Sequence, residues 1–496
     1  MIKNLLAFGL FSQSNSKQKS FFSKLVQDYL SSTVYDKVEV KRVFEEYTVG
    51  GVVKVRIAEG GDGFLYYLVE EPLLDETEVE VLGHVLSTGV ECVDVECLTT
   101  EVNGRLKGLS KESVSRVYYH YAKIVTGYGP LYPILLDPLV EEVALNSLDR
   151  RVWVIHRAIS HYGWVKTNLL VRESFVDKVA LSLSRKVKKH VSLASPIAEG
   201  LTKEGYRVSV IFGGDVSRKG SSVVIRKRPE KPWTLTQLIN QGVLNSLIAA
   251  YLWLVIESKG WVIVAGGVGA GKTTLLQGLL NLIPHNRRVV TIEDTPELFL
   301  SSEQWDPLVE RVSVIDPSTN IDMYGLLKAS LRRRPDYIVV GEVRGVEARV
   351  LVQASRLGHG VLNTIHGDSP DSVLKRLTAY PISIPKNLLG NIWSIIIVEQ
   401  TGYGRRVARV SEITEKVDVV DVAWFERGVF KPLGVDELAS RSLRLAERMG
   451  TRGLVKELTE RSLFLERLVS NGVFEEAELA RMINEFYRSR GLLGGN

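Results

Sequence analysis

The chain has 496 residues, 45% of them hydrophobic and 24% charged, and a net charge of +5. This composition excludes a mainly disordered protein, and the length allows about three globular domains. The charge is too small to indicate a nucleic-acid partner by itself, although it permits a basic face toward anionic lipid. No run reaches about 18 uninterrupted apolar residues, so we expect a cytoplasmic protein with at most peripheral membrane contact.

Residues 1–130 predict a small N-terminal α/β region. "FFSKLVQDYL" has a helical pattern, and "VVKVRIAEGGDGFLYYLV" alternates around Gly-Asp-Gly as a hairpin does. Ser110 is a candidate N-cap for the next helix. "GYGP" at 127–130 is a cluster of residues that interrupt helices and strands, and it is a candidate domain boundary.

Cys92 and Cys97 are the two cysteines of the chain. A structural zinc site would need a second pair, and two cysteines make no disulfide framework. We therefore predict two thiols, in the core or at the surface, in a reducing compartment.

Residues 131–233 predict a second, PAS-like α/β domain with short strands such as "RVWVIH", "RVSVIF" and "SSVVIRKR". The two prolines of "RPEKPWT" (228–234) then predict a linker. In residues 234–435, "WVIVA", "RVVTIED" and "DYIVVGE" each precede a helical or turn segment. That alternation indicates βαβ units and a mostly parallel, twisted sheet flanked by helices.

Residues 436–496 predict a charged helical tail that Asn471-Gly472 divides into two helices. Each of these helices has an apolar stripe, and apolar stripes more often form packing surface than functional sites. The stripes consist of Leu454, Val455, Leu458, Leu465, Leu468 and Val469, and then of Leu479, Met482, Ile483, Phe486 and Tyr487.

The segment "GGVGAGKTT" fits the phosphate-binding pattern of Gly, four residues and Gly-Lys-Thr between a strand and a helix. Glycines let successive backbone N–H groups turn toward phosphate oxygens, and the N-terminus of the helix favours the same anion. Lys272 would reach the β- and γ-phosphates of ATP, and the Thr273 hydroxyl would bind Mg²⁺. The predicted contact residues are Gly266, Gly267, Val268, Gly269, Ala270, Gly271, Lys272, Thr273 and Thr274.

Two further strands end in carboxylates. Glu342 in "DYIVVGEVR" is predicted to hold the Mg²⁺ shell or to polarise the attacking water. "TIEDTPEL" ends in Glu293 and Asp294, which point to different sides of an extended chain, so only one should face the metal. We favour Glu293, and an N-cap role for Asp294 is the alternative.

His359 and His366 lie at the two ends of a short strand in "GHGVLNTIHGDSP". We predict a catalytic role for His366, because its strand belongs to the same sheet. A zinc pair lacks support, because no cysteine or acidic third ligand has the usual spacing.

These four segments, in this order, resemble the boxes of the secretion ATPase superfamily, which powers type II secretion, type IV pili, type IV secretion and the archaellum. They are similar to its Walker A, Asp box, Walker B and His box. The resemblance spans about residues 45–470 and is greatest to the archaeal branch. It implies a RecA-like core after smaller N-terminal domains.

The resemblance also implies arginines that approach the nucleotide from the N-terminal domain. Arg207 in "GYRV" and Arg226 in "VIRKR" match their positions, and Arg218 is a weaker match. The sequence departs from the family pattern at Val268, where many members have Thr or Ser. It also lacks the Leu-Pro-Asp-Gly before Arg207 and the bacterial four-cysteine zinc subdomain.

The function implied is that of a homo-hexameric, ATP-hydrolysing motor at the inner face of the cytoplasmic membrane, with a polytopic membrane protein as its partner and anionic lipid as a further contact. The alternative function is that of a nucleic-acid translocase. The modest net charge and the lack of an aromatic and basic surface for single strands argue against it. A non-hydrolysing scaffold would predict a damaged phosphate loop, whereas Lys272, Thr273 and Glu342 are all present.

Overall fold

The computed structural model divides the chain into two compact units, Met1–Glu230 and Lys231–Asn496. The division falls within the proline-containing segment 228–234. The structure describes residues 26–88, 92, 94–101, 109–146, 149–228, 231–311, 319–402 and 404–491. No helix in these ranges is both long enough and apolar enough to cross a membrane.

The first unit is built on one sheet, in which strand order is β2-β3-β4-β7-β6-β5-β10-β9-β8 and β1 pairs with β7. The strands are β1 (Thr33–Tyr35), β2 (Val40–Val49), β3 (Val53–Gly60), β4 (Leu65–Glu70), β5 (Val140–Leu145), β6 (Arg151–His156), β7 (Val165–Val171), β8 (Ile197–Leu201), β9 (Arg207–Ile211) and β10 (Ser222–Arg226). The helices are α1 (Glu76–Thr88), α2 (Val95–Glu101), α3 (Lys111–Val125), α4 (Tyr132–Leu135) and α5 (Glu173–Lys186). Strands from both predicted N-terminal segments thus share this sheet.

Local sequence accounts for the hairpin and the helix cap of this unit. β3 and β4 pair antiparallel, with Ala58 opposite Tyr66, around a turn in which the Asp62 carboxylate accepts a hydrogen bond from the Phe64 N–H at 3.2 Å. Short polar side chains favour turns by this kind of backbone bond. The Ser110 hydroxyl accepts a bond from the Ser113 N–H at 3.1 Å, so the predicted N-cap of α3 is confirmed.

The prediction of two separate thiols is wrong, because Cys92 and Cys97 form a disulfide. Their Cα atoms are 5.4 Å apart, within the usual range for a disulfide. Cys97 belongs to the first turn of α2, which brings it back toward Cys92. Sequence spacing alone does not show such a bend in the chain.

The second unit contains a nine-stranded sheet of order β13-β12-β14-β15-β11-β16-β17-β18-β19. Its strands are β11 (Trp261–Gly266), β12 (Val289–Glu293), β13 (Trp305–Val309), β14 (Tyr337–Val343), β15 (Gly360–His366), β16 (Ile392–Thr401), β17 (Gly404–Ile413), β18 (Val419–Glu426) and β19 (Val429–Lys431). The pairs from β13 to β16 are parallel, and those from β16 to β19 are antiparallel.

The helices of this unit lie between and after the strands. They are α6 (Leu235–Asn240), α7 (Ser246–Glu257), α8 (Lys272–Leu280), α9 (Met323–Ser330), α10 (Ala348–Arg356), α11 (Pro370–Thr378), α12 (Val435–Arg441), α13 (Leu443–Met449), α14 (Thr451–Ser470) and α15 (Glu476–Ser489). Every residue of β11 and β12 is buried, as expected for parallel strands covered on both faces. The predicted α/β class, a mostly parallel sheet with helices between its strands and a helical tail, is confirmed.

The tail packs against α7 of the same unit. Trp253 of α7 donates a hydrogen bond from its indole N–H to the Tyr487 hydroxyl at 2.6 Å, and the Trp253 and Phe486 rings lie 4.7 Å apart. Arg461, 1% exposed, covers the Trp253 ring at 4.6 Å and pairs with Glu257 at 2.6 Å. The predicted apolar stripes of α14 and α15 therefore form packing surface.

Candidate nucleotide site

The segment between β11 and α8 adopts the conformation that its glycines permit. Gly269 and Gly271 have φ of +70° and +96°, in the left-handed region that favours glycine. A Cβ on Gly266 would lie 2.4 Å from the carbonyl oxygen of Val398, so a larger residue does not fit there. Val268 is 91% exposed, which is compatible with a loop that binds through its backbone.

Lys272 is the first residue of α8, and its amine folds back over the loop. The Nζ atom donates hydrogen bonds to the carbonyl oxygens of Gly266 and Gly267 at 3.1 and 2.7 Å. Thr273 and Thr274 follow in the first turn, both partly buried, and Ala270 is buried beneath the loop. The positive end of the helix therefore faces the same side as the loop, an arrangement suited to an anion.

Sheet order brings the other predicted residues to this loop. Strands β12, β14, β15 and β11 are consecutive neighbours and all parallel, so their carboxyl ends lie at one edge. His366, the last residue of β15, is the register partner of Gly266, the last residue of β11. In open parallel sheets, ligands bind outside this edge.

Glu342 lies at an irregularity near the end of β14. The register with β15 runs from Val340 opposite Asn363 to Val343 opposite Ile365, so β14 has one extra residue between the two pairs. Such a bulge changes the direction of a side chain. The Glu342 Oε1 atom lies 2.7 Å from Nε2 of His366.

His366 lies between Glu342 and the phosphate loop. Its Nδ1 atom is 3.4 Å from Nζ of Lys272, and an ammonium is only a donor, so Nδ1 accepts and Nε2 carries the proton toward Glu342. Burial, together with the positive charge of Lys272, lowers the pKa of His366 below its ordinary value. The histidine is therefore neutral at neutral pH.

Glu293 and Asp294 differ in what they contact. Glu293 is 3% exposed, and its Oε1 accepts hydrogen bonds from the N–H groups of Glu297 and Leu298 at 2.8 and 3.0 Å. A Cβ on Gly341 would lie 3.1 Å from Cγ of Glu293, so the glycine allows this side chain to lie against β14 beside Glu342. Its catalytic role stays a prediction.

Arg344 is a residue of this site that the sequence analysis did not single out. Its Nη1 atom lies 3.2 Å from Oδ2 of Asp294, and its Nε donates to Oε2 of Glu342 at 3.0 Å. The signal available was its position two residues after Glu342, because alternate residues of a strand share a face. Asp294 thus reaches Glu342 through the guanidinium.

His359 lies at the opposite end of β15 from His366. Its Nδ1 atom is 2.7 Å from the carbonyl oxygen of Pro335, which gives it a structural partner. Within the described ranges, no group of three or more His, Cys, Asp or Glu residues could hold a metal ion. His359 and His366 lie at opposite ends of a seven-residue strand, which places them too far apart to bind one zinc ion.

The residues around the loop suit Mg²⁺ bound together with a nucleotide. Oε1 of Glu342 is buried and accepts no hydrogen bond of normal geometry within the described part of the chain, although His366 Nε2 is close. Thr273 supplies a hydroxyl at the start of α8. Mg²⁺ prefers such oxygen ligands, usually one or two from the protein with water and phosphate completing the shell.

The three predicted arginines lie in the first unit. Arg207 of β9 and Arg226 of β10 are exposed register partners on adjacent antiparallel strands. Like charges directly opposite each other destabilise a sheet, and Glu142 lies 3.9 Å from Arg226 as a partial counter-charge. Arg218 lies in an exposed turn between the two strands.

Residues 207–402 match the family model described as "Type II/IV secretion system protein". An uncharacterised protein of Methanocaldococcus jannaschii is 32% identical over 406 residues, which cover 78% of this chain and 72% of the relative. The conjugal transfer protein TrbB of Rhizobium radiobacter is 31% identical over 287 residues, which cover 56% of this chain and 84% of that relative. The crystal structure of the VirB11 ATPase from the Brucella suis type IV secretion system is 24% identical, with a TM-score of 0.30, and the match covers 59% of this chain and 94% of that one. On the evidence of the sequence relatives, the chain belongs to the type II/IV secretion system protein family.

Proposed function

We propose that this protein is an ATP-hydrolysing hexameric motor that drives a type IV pilus-like, type II secretion or archaellum-type machine. The observation that carries the proposal is the convergence of the phosphate loop, Glu342 and His366 at one edge of a parallel sheet. Phosphate-loop enzymes act mainly by positioning and by electrostatic stabilisation of the transferred phosphoryl group, and this edge offers groups for both.

Each residue of the edge has a role in the proposal. Lys272 leaves its loop carbonyls to bind the β- and γ-phosphates of ATP, and Thr273 binds Mg²⁺. Glu342 holds the metal shell or polarises the attacking water, and Glu293 supports it from the adjacent strand. His366 connects the γ-phosphate to Glu342, because its two ring nitrogens face Lys272 and Glu342.

Arg207 and Arg226 are proposed to bind nucleotide phosphates in the hexamer. A guanidinium stays charged and can form bidentate hydrogen bonds to phosphate oxygens. Their positions as exposed register partners on β9 and β10 support the proposal, because two neighbouring guanidinium groups can bind one anion together.

The proposed site of action is the inner face of the cytoplasmic membrane, beside a polytopic membrane protein of the machine and in contact with anionic lipid. This part rests on the family alone. The relevant assay is magnesium-dependent ATPase activity of the hexamer, with and without vesicles that contain anionic lipid.

The test of hydrolysis uses two variants of the site. Lys272→Ala should abolish nucleotide binding, and Glu342→Gln should retain binding while it lowers kcat by at least about 100-fold. Lys375→Ala on α11, outside the phosphate loop, is the matched control and should keep wild-type activity. Phosphate release at the wild-type rate by Lys272→Ala or Glu342→Gln would exclude the proposed roles.

Nucleic-acid translocation is the second candidate, and the relative TrbB, whose name refers to conjugal transfer, favours it. Stimulation of the ATPase separates the two. A steep rise with single-stranded DNA that falls with salt would indicate a translocase, because phosphate contacts release counterions. A rise with anionic vesicles, and none with DNA, would support the secretion motor.

A further inference from the structure

The guanidinium of Arg344 joins two carboxylates at the ends of two neighbouring strands. Its Nε donates to Oε2 of Glu342 at 3.0 Å, Nη2 contacts the same oxygen, and Nη1 donates to Oδ2 of Asp294 at 3.2 Å. Asp294 follows β12 and Glu342 belongs to β14, its neighbour in the sheet. The fork of an arginine is suited to hold two groups at once in a defined geometry.

The backbone at Arg344 is held in place independently of its side chain. The N–H groups of Arg344 and Gly345 both donate to Oε1 of Glu347, each at 2.6 Å, and Glu347 is 8% exposed. The carbonyl of Gly341, on the other side of Glu342, accepts a bond from the Thr364 hydroxyl at 2.6 Å. Both ends of this short segment are therefore anchored, so the guanidinium extends from a defined point.

The contacts of Arg344 decide which oxygen of Glu342 faces the phosphate loop. Oε2 is engaged by Arg344, whereas Oε1 lies 2.7 Å from His366 Nε2, and His366 Nδ1 faces Lys272. Without Arg344, the Glu342 carboxylate would lose the partner that fixes its plane and could rotate about its last side-chain bond, so that neither oxygen points at His366.

We propose that Arg344 is a positioning residue, which presents Oε1 of Glu342 to the phosphate loop and makes this orientation depend on Asp294. The inference rests on the proposed ATPase function and adds two residues to it. Asp294 is linked to Glu342 through Arg344, because its Oδ2 contacts the guanidinium, while its Oδ1 accepts the N–H of Thr295 at 2.8 Å.

A merely structural role predicts a different result. The Arg344 side chain is 55% exposed, and ion pairs at such exposure contribute little to stability. Loss of a partner that orients a metal-site residue costs about 10- to 100-fold in activity or metal affinity. Turnover and stability therefore separate the two roles.

The experiment compares steady-state ATPase kinetics, ATP affinity and thermal unfolding of the full chain and its variants. Arg344→Gln should lower kcat by about 10- to 100-fold, with ATP affinity and unfolding temperature unchanged. Arg344→Lys, which keeps the charge but not the fork, should stay closer to Arg344→Gln than to wild type. The matched control is Arg409→Gln, since Arg409 is 49% exposed and pairs with Asp421 at 3.2 Å on the distant β18.

A double variant tests the link to Asp294. Adding Asp294→Asn to Arg344→Gln should lower kcat no further, whereas independent roles would multiply the two losses. Multiplied losses, full recovery by Arg344→Lys, or a kcat of Arg344→Gln equal to wild type would each overturn the inference. A wild-type chain without magnesium-dependent ATPase activity would instead overturn the proposed function, and this inference with it.

Discussion

Gly266 and His366 are register partners at the carboxyl ends of β11 and β15. This pairing places the start of the phosphate loop beside the histidine whose ring separates Lys272 from Glu342. The position of the histidine comes from this β11–β15 pair, whereas the requirement for glycine comes from the other neighbour of β11, because Gly266 is the register partner of Val398 on β16. Both can be tested separately.

Gly266→Ala should destabilise the second unit. The added Cβ would lie 2.4 Å from the Val398 carbonyl oxygen on the neighbouring strand, which has little freedom to move. We expect a loss of about 1–3 kcal/mol in the free energy of unfolding, measured by urea titration. Gly267→Ala is the control, since nothing lies within 4 Å of its added Cβ and its stability should match wild type. Equal stability of the two variants would contradict the prediction.

His366→Ala should reduce turnover more than ATP binding. Its removal takes away the group between Lys272 and Glu342, while the loop backbone stays intact. We expect kcat to fall by about 100-fold or more, as for loss of a proton-transferring or orienting group. His359→Ala, at the opposite end of β15, should keep near-normal turnover. Similar losses in both variants would indicate a structural role for His366.

Arg461→Ala should detach the helical tail from α7. Arg461 is 1% exposed and pairs with Glu257 at 2.6 Å and with Glu457 at 3.1 Å. The substitution removes this cationic partner from both carboxylates. Breaking a buried ion pair costs about 3–5 kcal/mol, measurable by chemical denaturation. Arg481→Ala removes an exposed arginine from its pair with Glu485, and less than about 1 kcal/mol should be lost. A loss for Arg461→Ala as small as that control would disprove the anchoring role.

Glu412 should make stability depend on pH. Burial raises its pKa above the ordinary 4.5, despite hydrogen bonds from the Arg444 N–H and the Tyr251 hydroxyl. A carboxyl group whose folded pKa is raised stabilises the fold below its unfolded pKa, and this contribution is lost as pH rises through the folded pKa. As pH rises above 4.5, wild type should therefore lose stability relative to Glu412→Gln. Parallel stability curves for the two proteins would contradict the raised pKa.

Features that depend on neighbouring residues in the chain were predicted well. The glycine-rich turn between β11 and α8 follows from its glycines and the helix start, the β3–β4 hairpin from alternation around a turn, and the α3 cap from one serine. Fully apolar strands such as β11 and β12 indicate a parallel sheet, because both faces must be covered.

Features that depend on residues far apart in the sequence could be identified only from the structure. The link from Asp294 to Glu342 passes through Arg344, and the sequence marked Arg344 only as part of a strand ending. The bulge in β14 and the disulfide between Cys92 and Cys97 likewise depend on how the backbone bends. Spacing along the chain does not determine any of these.

From the order of its residues alone, this chain is predicted to have a glycine-rich loop before a helix, a parallel α/β core, and carboxylates and histidines at strand ends. Local backbone preference and hydrophobic burial encode these features within a few residues. Which of those side chains meet depends on the fold, because the strand order β12-β14-β15-β11 arises from pairing between segments far apart in sequence. That order aligns Asp294, Glu342, His366 and Lys272 along one edge.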